Sequence, residues 1–361
     1  MDKKIRIGLI GTSGFAELIH IPAIQNHPRA QLVSICGRRI ERAEEVARKF
    51  GIQRAYDNYQ AQIMNDALDA IVIATPDDMH FEVALCALKA KMHVLCEKPM
   101  GLNVEQAQEM AEVAQRAGVI HMVNFSWRWA PLYWYVRDLI GEGRIGKPFF
   151  LNMAYHASHG LHLEGWRFDA DRAMGALGDL GSHMVHVGTL IGGEVKTVSA
   201  SLRSFSVHES DATSTTQPAN TSACLLVEYA TGVQGMIHVS AVTHLGAEGQ
   251  QQTIEVSGSD GTLSGIMSLR SSGLSLVRRG CDEPEELSIP ALHWQQVDRN
   301  KDHFGQLIEL FVSQPAGSRA LVDAIVGDFT DYPDFQDGLQ VQKAIAAAFE
   351  SDRTGKKVVV S

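Results

Sequence analysis

From residue 5 to residue 123 the chain alternates short apolar runs with amphipathic stretches of helical period, and this alternation restricts the fold more than any single motif. The runs at 5–10, 31–36, 68–74, 93–96 and 119–123 have the length of strands, and the intervals between them suit crossover helices. Ile40, Ala43, Ala47 and Phe50 share one helical face that Gly51 ends, and Asn103 followed by Gln106 predicts a helix N-cap. Such units build a doubly wound parallel sheet. After Pro131 the runs lengthen, at 149–155, 195–205, 223–229, 233–240, 253–257 and 274–277, and the pairs Thr231-Gly232 and Asp260-Gly261 supply tight turns. With helical stretches around 133–140, 183–190, 303–312 and 340–349, this half reads as an α+β domain with a large, mostly antiparallel open sheet. The expected division is 1–124 and 125–361, with a loop at 209–220.

Length and charge narrow the partners. A chain of 361 residues exceeds the usual single core, and 45% hydrophobic with 20% charged residues is the mix of a globular protein. A formal net charge of -10 repels a phosphate backbone, so nucleic acid is not expected and a small molecule is. The first apolar run, about six residues, is too short for a signal peptide or a membrane span, which predicts a cytoplasmic protein without membrane attachment. Cys36, Cys86, Cys96, Cys224 and Cys281 lack metal-type spacing and read as reduced thiols.

The run 5–10 leads through Gly11-Thr12-Ser13-Gly14-Phe15-Ala16 into a helix, the strand-turn-helix setting in which a glycine-rich turn holds a dinucleotide. Gly11 permits the tight turn, Ala16 permits close packing of helix on strand, and the helix N-terminus offers amides to a pyrophosphate. Ser13 stands where the middle glycine is usual, so the loop is expected to adjust around Ser13 and Gly14, with the hydroxyl reaching a phosphate oxygen. The first domain is therefore a dinucleotide-binding Rossmann domain. Its second run ends Cys36-Gly37-Arg38-Arg39, two guanidinium groups where an NAD site usually carries a carboxylate, which favours the 2'-phosphate of NADP while leaving NAD open.

The third and fourth runs end in Ala74-Thr75-Pro76-Asp77-Asp78-Met79-His80 and Glu97-Lys98-Pro99, at the carboxyl edge where open α/β sheets bind ligands, so Thr75, Pro76 and His80 are candidate cofactor contacts. With Glu97-Lys98-Pro99 the sequence resembles the Gfo/Idh/MocA family of oxidoreductases. Further matches run through 124–131 with Arg128, 143–148, Trp166-Arg167, 175–183 and 337–358. Asp179-Leu180-Gly181-Ser182-His183 looks like the family's Asp-x-Gly-x-His segment. The resemblance implies a catalytic Lys98, Asp179 and His183, a cofactor contact from Glu97, and substrate or cofactor contacts from Arg128, Trp166 and Arg167. His186 stands where the family usually has an acidic residue, and Pro99 is a candidate for a cis bond.

These residue types suit hydride chemistry at a carbinol carbon. A hydride leaves most readily as the hydroxyl proton passes to a positioned base, for which His183 is suited. Asp179, four residues earlier, shares its face and either orients the imidazole or touches substrate, while the Lys98 ammonium stabilises alkoxide charge. The implied activity is an NAD(P)-dependent dehydrogenase or reductase of a sugar, cyclitol or other polyol. A glycosidase using transient oxidation and a non-catalytic sensor on the same fold are the alternatives. The resemblance also implies a homodimer or homotetramer.

His156, His159 and His162 recur every third residue. On a strand that spacing alternates faces and on a helix it drifts, so no metal site is expected; the segment, with His156 as the named substrate contact, is read instead as lining the substrate cleft with hydrogen-bond donors.

Overall fold

Strands buried on both faces must be largely apolar, and the central strands of the first half of the chain meet that requirement; its six strands are β1 (Ile5–Ile10), β2 (Ala30–Cys36), β3 (Arg54–Tyr56), β4 (Ala70–Ile73), β5 (His93–Cys96) and β6 (His121–Val123). A computed structural model describes residues 3–162, 165–205, 218–295 and 297–361. All pairs in the first sheet are parallel, in the order β3-β2-β1-β4-β5-β6. Ile7, Leu9, Ile35, Ile71, Ile73 and Leu95 fill its centre. The helix Ile40–Phe50 ends at Gly51 with φ 66°, and Asn103 Oδ1 accepts from the Gln106 amide at 2.9 Å, as the sequence predicts. β3 is an addition: three residues with one apolar side chain between two half-polar ones carry no periodic signal.

The chain divides into two compact units, the first running to Ser126 and joined by Gly305–Leu339, the second containing Trp127–Gln295 and Gln340–Ser361. In the first, the strand tips are tied in sequence by backbone bonds. Gly11 N–H donates to Cys36 O at 2.8 Å, Ala74 N–H to Ile10 O at 2.7 Å, Glu97 N–H to Ile73 O at 2.9 Å and Asn124 N–H to Cys96 O at 2.7 Å. The order of strands reverses between β1 and β4, which brings Gly11 and Ala74-Thr75 to the switch point.

The second unit is built on β7 (Pro148–Ala157), β8 (Val195–Arg203), β9 (Ser222–Tyr229), β10 (Gln234–Ser240), β11 (Gln250–Gly258), β12 (Gly261–Ser268), β13 (Ser272–Arg278), β14 (Glu285–Glu286) and β15 (Val358–Val359). Their order is β14-β13-β12-β11-β7-β10-β9-β8-β15, and among the described strands β7 with β10 is the one parallel pair. The loop expected at 209–220 falls mostly outside the described residues. One face carries the helix Ser182–Gly192, whose approach requires Gly188 and Gly192: a Cβ there would lie 2.2 Å from the Tyr229 hydroxyl and 2.4 Å from its ring. On β7 the residues Leu151, Met153, Tyr155 and Ala157 are buried, while Asn152, Ala154 and His156 point to the opposite face and are half-buried. Among the described residues no helix is long and apolar enough to cross a membrane.

Candidate active site

The turn after β1 is fixed by close approach. Gly11 has φ 128°, and a Cβ on it would stand 2.2 Å from the carbonyl oxygen of Ala74, so only glycine lets the turn touch the end of β4. Ala16 is fully buried and opens a π turn, Ala16–His20, that continues into the helix Ile21–Gln25. The Ser13 hydroxyl accepts from the Ala16 amide at 3.2 Å, so it caps the helix from within while its own O–H is left to donate. The amides of Gly14 and Phe15 remain on the exposed first turn, where geometry gives them no partner inside the helix. A Cβ on Gly14 would meet nothing within 4 Å. Thr12 packs its side chain against Gly37, leaving Arg38 and Arg39 exposed, and among the described residues neither guanidinium has an ion-pair partner.

Beside this turn, Thr75 Oγ1 is buried and has no hydrogen-bond partner among the described residues, an unmet polar group at the tip of β4 next to Pro76. His80 is fully buried with Nδ1 2.8 Å from Pro99 O and Nε2 3.0 Å from Thr75 O. It ties the loops after β4 and β5 together, so it supports the site from behind; burial above all pushes its pKa down, although contacts with two carbonyls favour protons on both nitrogens. The bond Lys98–Pro99 is cis. Glu97 Oε1 accepts from His20 Nε2 at 3.0 Å and from Asn124 Nδ2, and Oε2 faces the Lys98 amide at 3.4 Å. Burial raises the pKa of Glu97, but the hydrogen bond and charge of His20, the charge of Lys98 and the Asn124 amide outweigh it and hold the carboxyl down at about 2.

In the second unit Asp179 lies on a π turn, Leu177–Gly181, immediately before the helix that carries His183. π turns recur at functional positions because the extra residue re-aims side chains. His159 Nε2 is 3.1 Å and Arg167 Nε 3.6 Å from the Asp179 carboxylate. Arg167 stacks on Trp166, 4.4 Å from the ring centroid. His183 is buried, its ring 6.3 Å from that of Tyr155, whose hydroxyl accepts from Trp127 Nε1 and donates to Gln250. Burial, with the charges of Arg128 and His183, drives the His186 pKa well below its ordinary value, which leaves a neutral ring beside the buried Arg128.

Two family models cover most of the chain: the oxidoreductase family with an NAD-binding Rossmann fold matches residues 5–125, and the GFO/IDH/MocA C-terminal domain matches residues 133–264. An uncharacterized oxidoreductase of Synechocystis sp. is 30% identical over 267 residues, 72% of this chain and 71% of that one. The chain belongs to the Gfo/Idh/MocA family. A 1,5-anhydro-D-fructose reductase of Ensifer adhaerens is 34% identical over 48% of this chain and 51% of its own length. The crystal structure of an NAD binding oxidoreductase from Klebsiella pneumoniae, 27% identical, superposes with a TM-score of 0.83 over 99% of each chain. The protein is thus an NAD(P)-dependent oxidoreductase with an NAD-binding Rossmann domain.

For this member of the Gfo/Idh/MocA family the structure groups Gly11 to Ala16, Thr75, Glu97 and Lys98 along one edge of the first sheet, and Asp179, Arg167 and His183 with Tyr155 on one face of the second. It does not bring His156 to that face. His156 Nε2 lies 3.0 Å from His238 Nδ1 on the opposite side of β7, while His159 turns to Asp179, and the side chain of His162 is outside the described ones. Two residues, His20 and Tyr155, escaped the sequence reading, and the role of His159 beside Asp179 is specified only by the fold. His20 sits among apolar neighbours, a buried polar residue whose only signal is its interruption of an otherwise apolar face. Tyr155 and His159 lie four residues apart across the end of β7, and only the turn after that strand reveals that His159 joins Asp179.

Proposed function

We propose that this protein is an NADP-preferring dehydrogenase or reductase that moves a hydride between a nicotinamide and a CH–OH carbon of a sugar, cyclitol or related hydroxy compound. The observation that carries the reading is the carboxyl edge of the first sheet, where an orphaned Thr75 hydroxyl, a Gly11 turn pressed on β4 and a fixed Glu97-Lys98 pair lie side by side. Those residues fit a dinucleotide: Gly14 and Phe15 offer amides, Thr75 an unused hydroxyl, Glu97 a carboxylate, and Arg38 and Arg39 unpaired cations for a 2'-phosphate. The named activity of the Ensifer adhaerens relative supports the sugar class.

When bound, the nicotinamide supplies the hydride donor or acceptor. Lys98 holds the substrate oxygen by a charge-assisted hydrogen bond and stabilises negative charge that develops on it. His183 takes the hydroxyl proton on a ring nitrogen, or returns one in the reductive direction. Asp179, braced by His159 and Arg167, presents a fixed carboxylate to the imidazole or to a neighbouring hydroxyl. Arg128 and Trp166 complete the polar and stacking contacts that the family resemblance assigns. Burial pushes the Cys36 thiol up to about 12, which keeps it protonated and unreactive. The open face of the second sheet exposes Leu226 (59%) and its cross-strand neighbour Met236 (41%), which supports a homodimer or homotetramer; sedimentation as a monomer at micromolar concentration refutes it.

A screen of sugars and cyclitols with NAD and NADP side by side tests the reading. Turnover of at least one polyol, faster with NADP at low cofactor concentration and abolished in Lys98→Ala, is expected. Unchanged turnover in Lys98→Ala refutes the mechanism, and glycoside hydrolysis without net cofactor consumption refutes the reaction class.

A further inference from the structure

His20 is fully buried, and both its ring nitrogens are used: Nδ1 lies 2.8 Å from Ser318 Oγ and Nε2 3.0 Å from Glu97 Oε1. Nε2–H donates to the carboxylate, and Nδ1 shares a hydrogen with the Ser318 hydroxyl. The Phe15 ring, 39% exposed on the glycine turn, meets His20 edge-on at 5.3 Å. Asn124 Nδ2 donates to the same Glu97 oxygen, leaving Oε2 toward the Lys98 amide. One histidine therefore touches the dinucleotide turn, the loop that carries Lys98 and, through Ser318, the helix Gly317–Ile325.

A serine, a histidine and a glutamate in a chain resemble a hydrolytic triad, but Ser318 is 1% exposed and no substrate carbon can reach it. Stability alone is an incomplete account, because a buried carboxylate needs donors but does not need them aimed so that one oxygen is left for the residue after it. The π turn supplies that aim: Ala16–His20 sets His20 one residue out of the α-helical register, toward β5.

We propose that His20 is a positioning residue for the oxidoreductase reaction, holding Glu97 so that the following Lys98 is placed for substrate, with Ser318 as the outer anchor. The proposal rests on the reading of Lys98 as the catalytic lysine. Its chemistry distinguishes the two ring positions. Glutamine places an amide N–H where Nε2 stands, whereas asparagine places one where Nδ1 stands, so only His20→Gln keeps the bond to Glu97.

His20→Gln, His20→Asn, His20→Ala and Ser318→Ala are compared in the full-length protein. Folding is checked by circular dichroism and NADPH affinity by fluorescence titration. The turnover readouts are kcat and KM for a polyol substrate, and the mobility of Lys98 is read from 13Cε relaxation assigned with Lys98→Arg. His20→Asn and His20→Ala are expected to lower kcat about tenfold to a hundredfold with KM for the polyol changed less than about threefold, and to mobilise Lys98. His20→Gln retains kcat within about threefold, and Ser318→Ala shifts it in the same direction as His20→Ala but less. Equal kcat values for the glutamine and asparagine variants, or an unchanged Lys98 signal in all of them, overturn the proposal. If no polyol is turned over by the wild type while Lys98 loosens in the asparagine and alanine variants alone, the positioning role stands and the dehydrogenase reading falls.

Discussion

Replacing Glu97 by glutamine removes an ionisation while keeping the shape of the side chain, and its effect on stability is calculable from the folded-state pKa of about 2. Folding lowers this pKa from 4.5, so the charged carboxylate contributes its full stabilisation above about pH 4.5 and loses it as the pH falls toward 2. The complete shift corresponds to about 3 kcal/mol, and the side chain is only 13% exposed, so little of this is lost to solvent screening. Integrating the proton linkage gives a loss relative to pH 7 of about 0.8 kcal/mol at pH 4 and about 2 kcal/mol at pH 3. Glu97→Gln has no such term, and the gap between the wild type and the variant closes by those amounts. The assay needs care in its probe. All five tryptophans lie between positions 127 and 294, outside the sheet that holds Glu97, so intrinsic fluorescence is blind to it. Amide hydrogen exchange along β4 and β5, followed from pH 7 to pH 3 with intrinsic rates corrected, reports the right unit. A gap that stays constant to within about 0.5 kcal/mol over that range would refute the reasoning, because Glu97 would then titrate as freely folded as unfolded.

Arg38→Ala combined with Arg39→Ala is expected to weaken NADP binding about tenfold to a hundredfold and leave NAD binding within about twofold by calorimetric titration; equal losses for both would remove the 2'-phosphate assignment. Gly11→Ala forces a Cβ to 2.2 Å from a backbone oxygen at φ 128°, and a loss of about 2–4 kcal/mol in thermal unfolding with abolished dinucleotide binding is expected. Asp179→Asn should lower kcat about a hundredfold or more, and His159→Gln, which removes one brace from that carboxylate, by about a tenth as much; a larger effect from His159 would make it the proton carrier in place of His183.

The first sheet was legible because strands buried on both faces leave unbroken apolar runs, and β5 matches the expected 93–96 residue for residue. β3 was not, since a three-residue edge strand lacks a periodic signal, and the helix Gly317–Ile325, although its apolar residues recur at helical spacing, is entered through Ala316-Gly317 with no side-chain cap to mark its start. The same contrast holds at the site. Gly11 is legible in its strand-turn-helix setting, whereas Lys98, Asp179 and His183 are picked out by the family resemblance of their segments. Ser13, His80 and His159 declare their work only in three dimensions, because a hydroxyl can cap its own helix, an imidazole can clamp two loops, and a turn decides which of two nearby histidines reaches a carboxylate.

The alternation along β7 has a genetic consequence. Odd-numbered positions from 151 to 157 lie against the helix that carries His183, while even-numbered ones, His156 among them, open to the far side. A saturation library across this strand should therefore score in a comb, with turnover sensitive at every second codon and tolerant between. Inserting a single codon near its start would exchange the two sets of teeth, moving Tyr155 away from His183 without altering one residue of the proposed catalytic set.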